Sequence, residues 1–155
     1  ARAFGMDVVY HNRTRVDPEV ESHLGASLVT LDELLTTSDV VSLHCPYGPA
    51  THHLIDTAAL ASMRRTAHLV NTARGAVVDE EALVGALSNG TIAGAALDVF
   101  ENEPDVHPGL LALDNAVLVP HLGSATIETR SAMADLAARN VEAVLGGRPP
   151  LTPVG

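Results

Sequence analysis

Cysteine and aromatic residues are scarce in this sequence. Among its 155 residues there is one cysteine, Cys45, no tryptophan, and only two tyrosines and two phenylalanines. A single cysteine excludes an internal disulfide bond and favours a reducing compartment, so we expect a cytoplasmic protein. Because aromatic rings are few, a core has to be built from Ala, Val, Leu and Ile, which suits strands that helices cover on both faces.

Positive charge is also scarce, and long apolar runs are missing. Nine Lys and Arg residues stand against nineteen Asp and Glu residues, which gives a formal net charge of −10. Such a surface lacks the dense positive field that nucleic acids and anionic membranes require. No apolar run reaches the length of a membrane span. We therefore expect neither nucleic acid nor a membrane as a partner.

Strand and helix patterns alternate along the chain. Short apolar runs predict strands over residues 7–10, 39–44, 67–71, 92–97 and 116–119. Capping residues and apolar spacing predict helices over 31–35, 56–63, 79–88 and 125–145. Alternation with short connections predicts the α/β class, as a Rossmann-type doubly wound parallel sheet that is followed by a long C-terminal helix.

Polar and glycine-rich segments follow the predicted strands, at the ends where open parallel sheets bind ligands. They occupy residues 12–15, 44–46, 71–75, 98–104 and 120–124. Ordinary turns would explain Gly75 and Pro104, but they do not explain an arginine, a glutamate and a histidine together. The sequence therefore predicts a ligand site at one edge of the sheet.

Three of these segments resemble a known family. Residues 71–75, 98–104 and 120–126 are similar, in order and spacing, to the signature segments of the D-isomer-specific 2-hydroxyacid dehydrogenases. Residues 120–130, together with Arg13, look closest to the glyoxylate/hydroxypyruvate reductase branch. The resemblance implies an oxidoreductase that reduces a small 2-oxo acid to the D-2-hydroxy acid by hydride transfer from NAD(P)H.

The resemblance implies a catalytic trio of Arg74, Glu103 and His121. The planar guanidinium of Arg74 suits the substrate carboxylate and ketone oxygen. His121 is the expected general acid in reduction and base in oxidation, because imidazole titrates near neutral pH. Glu103 is expected to orient this imidazole and favour its protonated form. Glu101 is the rival carboxylate, but the carboxylate of the family stands immediately before the proline, which selects Glu103.

Cofactor contacts follow from the same resemblance. Asp98 is similar to the aspartate that binds the nicotinamide carboxamide, and Cys45 and Pro46 match the loop over the adenosine side of the cofactor. The remaining contacts implied along the matched segments are Thr72, Ala73, Arg74, His121, Gly123 and Ser124.

The segment after the first predicted strand bears on the choice of nicotinamide. NAD-specific sites usually place a carboxylate there, where it binds the ribose hydroxyls. This chain has Asn12, Arg13 and Thr14 instead, followed by Arg15. These residues offer donors to a 2′-phosphate, so NADP(H) is favoured. A solvated arginine pair that permits NAD(H) stays open.

Two other chemistries are disfavoured. Cys45 stands at a strand end with no base nearby in sequence, so we expect an inert thiol. The histidines 11, 44, 52 and 53 follow no recognised ligand spacing, so no metal site is expected.

The chain is expected to be part of a larger protein. Residues 1–4 are typical of the end of a helix that Gly5 caps, so the glycine-rich phosphate loop of the family is expected upstream. We interpret residues 1–124 as a partial dinucleotide-binding domain without its first strand and glycine-rich loop. Residues 125–155 are interpreted as a helix and tail that return toward a missing substrate domain. The fragment alone is predicted to be inactive, and the full-length protein to be a homodimer.

These motifs are compatible with more than one function. Phosphoglycerate and lactate dehydrogenases carry the same trio, so the 2-oxo acid is not determined. The family also includes a transcriptional corepressor, which makes a dinucleotide-sensing binding module without significant turnover the second hypothesis. An assay of the full-length protein separates the two.

Overall fold

Helices and parallel strands alternate in the computed structural model, which describes residues 1–154. The strands are β1 (Val8–Tyr10), β2 (Ala26–Leu28), β3 (Val40–Leu43), β4 (His68–Asn71), β5 (Gly94–Leu97) and β6 (Ala116–Leu118). The helices are α1 (Pro18–Leu24), α2 (Leu31–Thr37), α3 (Thr57–Ser62), α4 (Glu80–Ser88), α5 (Pro108–Leu111) and α6 (Ile127–Leu145). The predicted α/β class and the long final helix are confirmed.

The strands form two parallel sheets rather than one. β1 pairs with β2, and a second sheet has the order β3-β4-β5-β6. Within residues 1–154, no strand pairing joins the two sheets. In the larger sheet, Leu43, Asn71, Leu97 and Leu118 lie level with one another. The carboxyl ends of its four strands therefore meet along one edge.

Side-chain caps explain where the helices begin. Thr30 accepts a hydrogen bond from the Glu33 amide, so α2 begins where the capping-box spacing predicted. Asp56 and Asp79 cap α3 and α4 in the same way. Gly5 has φ 72° and ends a 3₁₀ turn at Arg2–Phe4, as predicted, although the turn is only three residues long.

Three short elements were not predicted from the sequence. α1 has Asp17 as its N-cap and Gly25 at its carboxyl end, and β2 follows at once. α5 is a single turn capped by the side chain of His107. These elements have three to seven residues, too few for apolar periodicity to distinguish them from loops.

The core is aliphatic, as the composition predicts. Its largest fully buried side chains include Leu60, Leu69, Leu83, Ile92 and Leu110, which come from α3, β4, α4, the segment before β5, and α5. The buried polar side chains among the described residues are Glu21, Asn71 and Glu80. Each of them makes side-chain hydrogen bonds.

The chain divides into two compact units, Ala1–Val119 and Pro120–Gly155. The second unit contains α6, which begins after its cap Thr126, and a tail in which Thr152 bonds the side chain of Asn140. The predicted apolar positions of α6 are exposed: Met133, Leu136, Val141 and Val144. None of the helices in the described part of the chain is long and apolar enough to cross a membrane.

Candidate active site

Three of the predicted site segments meet at the carboxyl edge of the larger sheet. Cys45 and Pro46 follow β3, Thr72 to Arg74 follow β4, and Asp98 follows β5. The amide of Asp98 donates to the carbonyl of Asn71 at 3.0 Å, which extends the pairing of β4 and β5 by one residue. Cys45 and Asp98 are half-buried, whereas Pro46, Thr72 and Arg74 are exposed.

Asn71 fixes the turn that carries Arg74, residues 71–75, which we call the Arg74 turn. Its side chain is buried, with 1% of the residue exposed. Nδ2 of Asn71 donates to the carbonyl of Arg74 at 3.0 Å, and Oδ1 accepts from the amide of Ala73 at 3.0 Å. The guanidinium of Arg74 donates to the carbonyl of Ala73 at 2.6 Å. No role for Asn71 was predicted from the sequence, although asparagine side chains in turns commonly hydrogen-bond the nearby backbone.

Gly75 allows this turn to approach a second loop. A Cβ atom at Gly75 would lie 1.9 Å from the carbonyl carbon of Phe100 and 2.3 Å from the amide nitrogen of Glu101. Such distances are far inside van der Waals contact. Only glycine therefore fits between the Arg74 turn and the peptide bond that joins Phe100 to Glu101.

Two carboxylates hold the loop that carries Glu103, residues 98–104, which we call the Glu103 loop. Oε1 of Glu103 accepts from the amide of Phe100 at 3.0 Å. Oε1 of Glu80 accepts from the amide of Glu101 at 2.7 Å. Glu80 is 3% exposed, and burial raises its pKa, while the bond from the Glu101 amide opposes that shift. The sequence did not single out Glu80 because its partner lies 21 residues away.

Glu101, the rival to Glu103, is bonded to a histidine. Its Oε1 lies 2.5 Å from Nε2 of His53. Nδ1 of the same imidazole lies 3.9 Å from Oδ2 of Asp79. His53 thus stands between two carboxylates, and the carboxylate of Glu103 has a different partner in the Phe100 amide.

The end of β1 presents Asn12, Arg13 and Thr14 on the surface. Oδ1 of Asn12 accepts from the amide of Arg13 at 3.0 Å. Among residues 1–154, the Arg13 side chain has no ion-pair partner, and no carboxylate occurs between β1 and Asp17. This donor set suits an anionic group such as a phosphate.

Arg15 differs from Arg13 because it is engaged by Glu21. Nε and Nη2 of Arg15 donate to the two carboxylate oxygens of Glu21 at 2.9 and 2.7 Å. The hydroxyl of Tyr10 donates to the same carboxylate. The bonds from Arg15 and then from Tyr10 lower the pKa of Glu21 to about 2. Arg15 is therefore paired with Glu21 although 63% of its side chain is exposed, and the alternative that either nicotinamide cofactor binds stays a prediction.

His121, Gly123 and Ser124 lie at the start of the second compact unit, just before α6. His121 is exposed and has φ 52°. Left-handed backbone is uncommon for residues with a side chain and recurs at functional sites. Its role together with Arg74 and Glu103 stays a prediction.

No metal-binding arrangement occurs in the part of the chain that the structure describes, where no three His, Cys, Asp or Glu side chains are grouped to hold an ion. The histidines have other contacts: a ring nitrogen of His11 lies 3.1 Å from the Val29 carbonyl, and His52 stacks on His53 with ring centroids 4.0 Å apart.

Comparison with known proteins identifies the family of this chain. Residues 1–123 match the model of the D-isomer specific 2-hydroxyacid dehydrogenase, NAD binding domain. A glyoxylate reductase of Thermococcus onnurineus is 55% identical over 152 residues, which cover 98% of this chain and 45% of that protein. A glyoxylate reductase of Aeropyrum pernix is 52% identical, with 96% and 44% covered. The chain thus spans about half the length of the curated relatives it matches.

Solved structures are similar to nearly the whole chain. The NADPH-dependent glyoxylate/hydroxypyruvate reductase of Sinorhizobium meliloti, in complex with NADP and malonate, is 41% identical with a TM-score of 0.89, and the match covers 99% of this chain and 47% of that one. The apo form of Rhodotorula graminis D-mandelate dehydrogenase is 42% identical with a TM-score of 0.85, with 99% and 45% covered.

Proposed function

Because the chain belongs to the D-isomer-specific 2-hydroxyacid dehydrogenase family, we propose that its protein reduces a small 2-oxo acid, glyoxylate or hydroxypyruvate, to the D-2-hydroxy acid. The single observation that carries this proposal is the family match over residues 1–123. The glyoxylate reductases among its relatives support the choice of substrate class. When it is bound, the reduced nicotinamide supplies the hydride.

In this proposal Arg74 binds the carboxylate of the substrate and polarises its ketone oxygen. Two observations support this role. The Asn71 side chain bonds the amide of Ala73 and the carbonyl of Arg74, which fixes the turn. The Arg74 guanidinium is exposed and lies next to the Ala73 carbonyl. A planar fork of donors recognises a carboxylate through two hydrogen bonds. We expect Arg74→Lys to lose that geometry, with kcat/KM for glyoxylate lower by about 100-fold.

His121 acts in this proposal as the general acid that protonates the developing alkoxide, and Glu103 orients its imidazole. The proton passes from a ring nitrogen of His121 to the former ketone oxygen, and the reverse transfer accompanies oxidation of the hydroxy acid. Support for Glu103 comes from its place on a loop that hydrogen bonds hold at both Phe100 and Glu101. Positioned general acids contribute about 10²- to 10⁴-fold to rates.

We propose NADPH as the preferred cofactor, with NADH as the weaker one. Arg13 and its neighbours Asn12 and Thr14 would hold the 2′-phosphate, and support comes from the exposed Arg13 side chain and from the missing carboxylate in residues 11–16. The other proposed contacts are Cys45, Pro46, Thr72, Ala73, Asp98, Gly123 and Ser124. Arg13→Ala should raise KM for NADPH about tenfold and leave KM for NADH within twofold of its original value, in line with the loss of one charged hydrogen-bonding partner.

The experiment uses the full-length gene product that contains this chain. Consumption of NADPH is followed with glyoxylate, hydroxypyruvate and phenylpyruvate, and chiral chromatography identifies the hydroxy acid made from hydroxypyruvate. D-glycerate as product supports the proposal. Tight binding of dinucleotide without turnover would instead support the binding-module hypothesis. A clear preference for NADH would contradict the cofactor proposal alone.

Two further parts of the proposal concern the whole protein. Residues 1–124 would belong to its nucleotide-binding domain, and residues 125–155 would pack toward a substrate-binding domain. This is supported by relatives that are about twice as long as the chain. We also propose a homodimer, for which light scattering of the full-length gene product gives the mass directly.

A further inference from the structure

His53 connects the two loops that carry Arg74 and Glu103. Its backbone amide donates to the carbonyl of Ala76 at 2.9 Å, within the 3₁₀ turn that follows Arg74. Two residues on, Ile55 pairs with the same segment, since its amide donates to the carbonyl of Val77 at 3.1 Å. The imidazole of His53 meanwhile contacts Glu101, at 2.5 Å. One residue therefore joins both segments, the first through its backbone and the second through its side chain.

The backbone of His53 is in an unfavourable conformation. Its φ is 48°, in the left-handed region where a side chain costs about 1 kcal/mol or more. Glycine would adopt this angle more easily. The neighbouring interactions over-determine the conformation: the amide bond to Ala76, the stacked ring of His52, and the contact with Glu101.

We propose that His53 is a positioning residue for the reaction: it holds the Glu101 side of the loop so that Glu103 keeps its place relative to the Arg74 turn. The inference rests on the proposed function. The side chains of His53 and Glu101 are 32% and 24% exposed, so water competes only partly for this bond. The buried Glu80 accepts from the backbone amide of Glu101. Gly75 allows the turn that carries Arg74 to contact the loop that carries Glu103.

Loss of the imidazole should affect kcat more than KM. The Arg74 turn keeps its own support from Asn71, so substrate binding should change by less than about threefold. The Glu103 loop loses one of its side-chain anchors. A displacement of about 1 Å in a positioned group lowers rates by up to about 100-fold, and we expect kcat to fall by at least about tenfold.

Three substitutions separate positioning from general stability. His53→Ala removes the imidazole and keeps the strained backbone. His53→Gly removes the imidazole and relieves the strain, so this variant should unfold at a higher temperature than His53→Ala and yet show the same loss of kcat. His53→Gln places an amide donor close to the position of Nε2 and should restore kcat to within about threefold of the original protein.

A second histidine–glutamate pair provides the matched control. Oε2 of Glu81 lies 3.0 Å from Nε2 of His107, and the Glu81 side chain is 85% exposed. The other ring nitrogen of His107, Nδ1, accepts from the amide of Gly109. The pair therefore joins α4 to the start of α5 and makes no bond to residues 100–103. Glu81→Gln should therefore leave kcat unchanged, whereas Glu101→Gln, which weakens the acceptor for His53, should lower it.

The experiment measures kcat, KM and thermal unfolding for these variants of the full-length gene product, and amide hydrogen exchange over residues 100–103. Loss of kcat in both His53→Ala and His53→Gly, recovery in His53→Gln and faster exchange in residues 100–103 support the proposal. An activity that simply follows the unfolding temperature overturns it. If the original protein shows no turnover, the proposed function fails, and unchanged exchange in His53→Gly then overturns the positioning role by itself.

Discussion

Replacement of Gly75 by alanine perturbs the contact between the Arg74 turn and the Glu103 loop with a single methyl group. The added Cβ would lie 1.9 Å from the carbonyl carbon of Phe100 and 2.0 Å from its oxygen. Carbon atoms in contact are about 3.5 Å apart. The two loops would therefore have to separate by about 1.6 Å, and both partners are backbone, which cannot rotate away.

The expected effects follow from that separation. Overpacked sites lose about 1–3 kcal/mol of stability, which for a domain of this size lowers the unfolding temperature by about 3–10 °C. Misplacement by more than 1 Å of groups that act together should lower kcat/KM by about 100-fold or more. The loss of activity should persist at temperatures where the variant is fully folded.

The assay compares Gly75→Ala with Gly85→Ala in the full-length gene product, by thermal unfolding and by NADPH-dependent glyoxylate reduction. A Cβ at Gly85 meets no atom within 4 Å, and this residue lies inside α4, where alanine is favoured over glycine by up to about 1 kcal/mol. Gly85→Ala should therefore be at least as stable as the original protein and fully active. Unchanged stability and activity in Gly75→Ala would show that the two loops do not require this close approach.

Three further predictions concern the buried and paired polar groups. Asn71→Asp keeps the acceptor for the Ala73 amide but loses the donor to Arg74, and chemical unfolding should show a loss of about 1–3 kcal/mol; equal stability would contradict it. Burial raises the pKa of Glu80, so the folded protein loses stability as pH rises above the ordinary pKa of this carboxyl, about 4.5. The unfolding temperature of Glu80→Gln, relative to that of the original protein, should therefore increase as pH rises above that value, and a relative unfolding temperature that falls instead would contradict this. Because the pKa of Glu21 is lowered to about 2, its ion pair stabilises the fold above about pH 4.5 and loses this effect as pH falls toward 2. The difference in unfolding temperature between the original protein and Glu21→Gln should shrink over that range, and a constant difference would count against the ion pair.

The elements that the sequence predicted well are those with local signals. Thr30, Asp56 and Asp79 cap helices within a few residues of their own positions, so spacing along the chain was enough to place α2, α3 and α4. The polar segments after the strands were also visible, because strand ends in parallel sheets share one edge.

The contacts that hold the candidate site together were not visible in the sequence. Glu80 bonds the amide of Glu101 across 21 residues, and His53 reaches the side chain of Glu101 across 48. Gly75 resembles an ordinary turn glycine until the neighbouring Phe100 carbonyl is known. Such pairings depend on how the loops pack, for which a single sequence carries no local pattern. The division of the strands into two sheets depends on tertiary pairing in the same way.

We propose that His121 is the general acid of the reduction. The most direct measurement compares kcat/KM for NADPH-dependent glyoxylate reduction in the original full-length gene product and in His121→Asn. Asparagine tolerates the left-handed backbone at this position, with φ 52°, and cannot transfer a proton. We predict measurable reduction by the original protein and a loss of about 10²- to 10⁴-fold in the variant. Equal activity in the two proteins would contradict this role of His121.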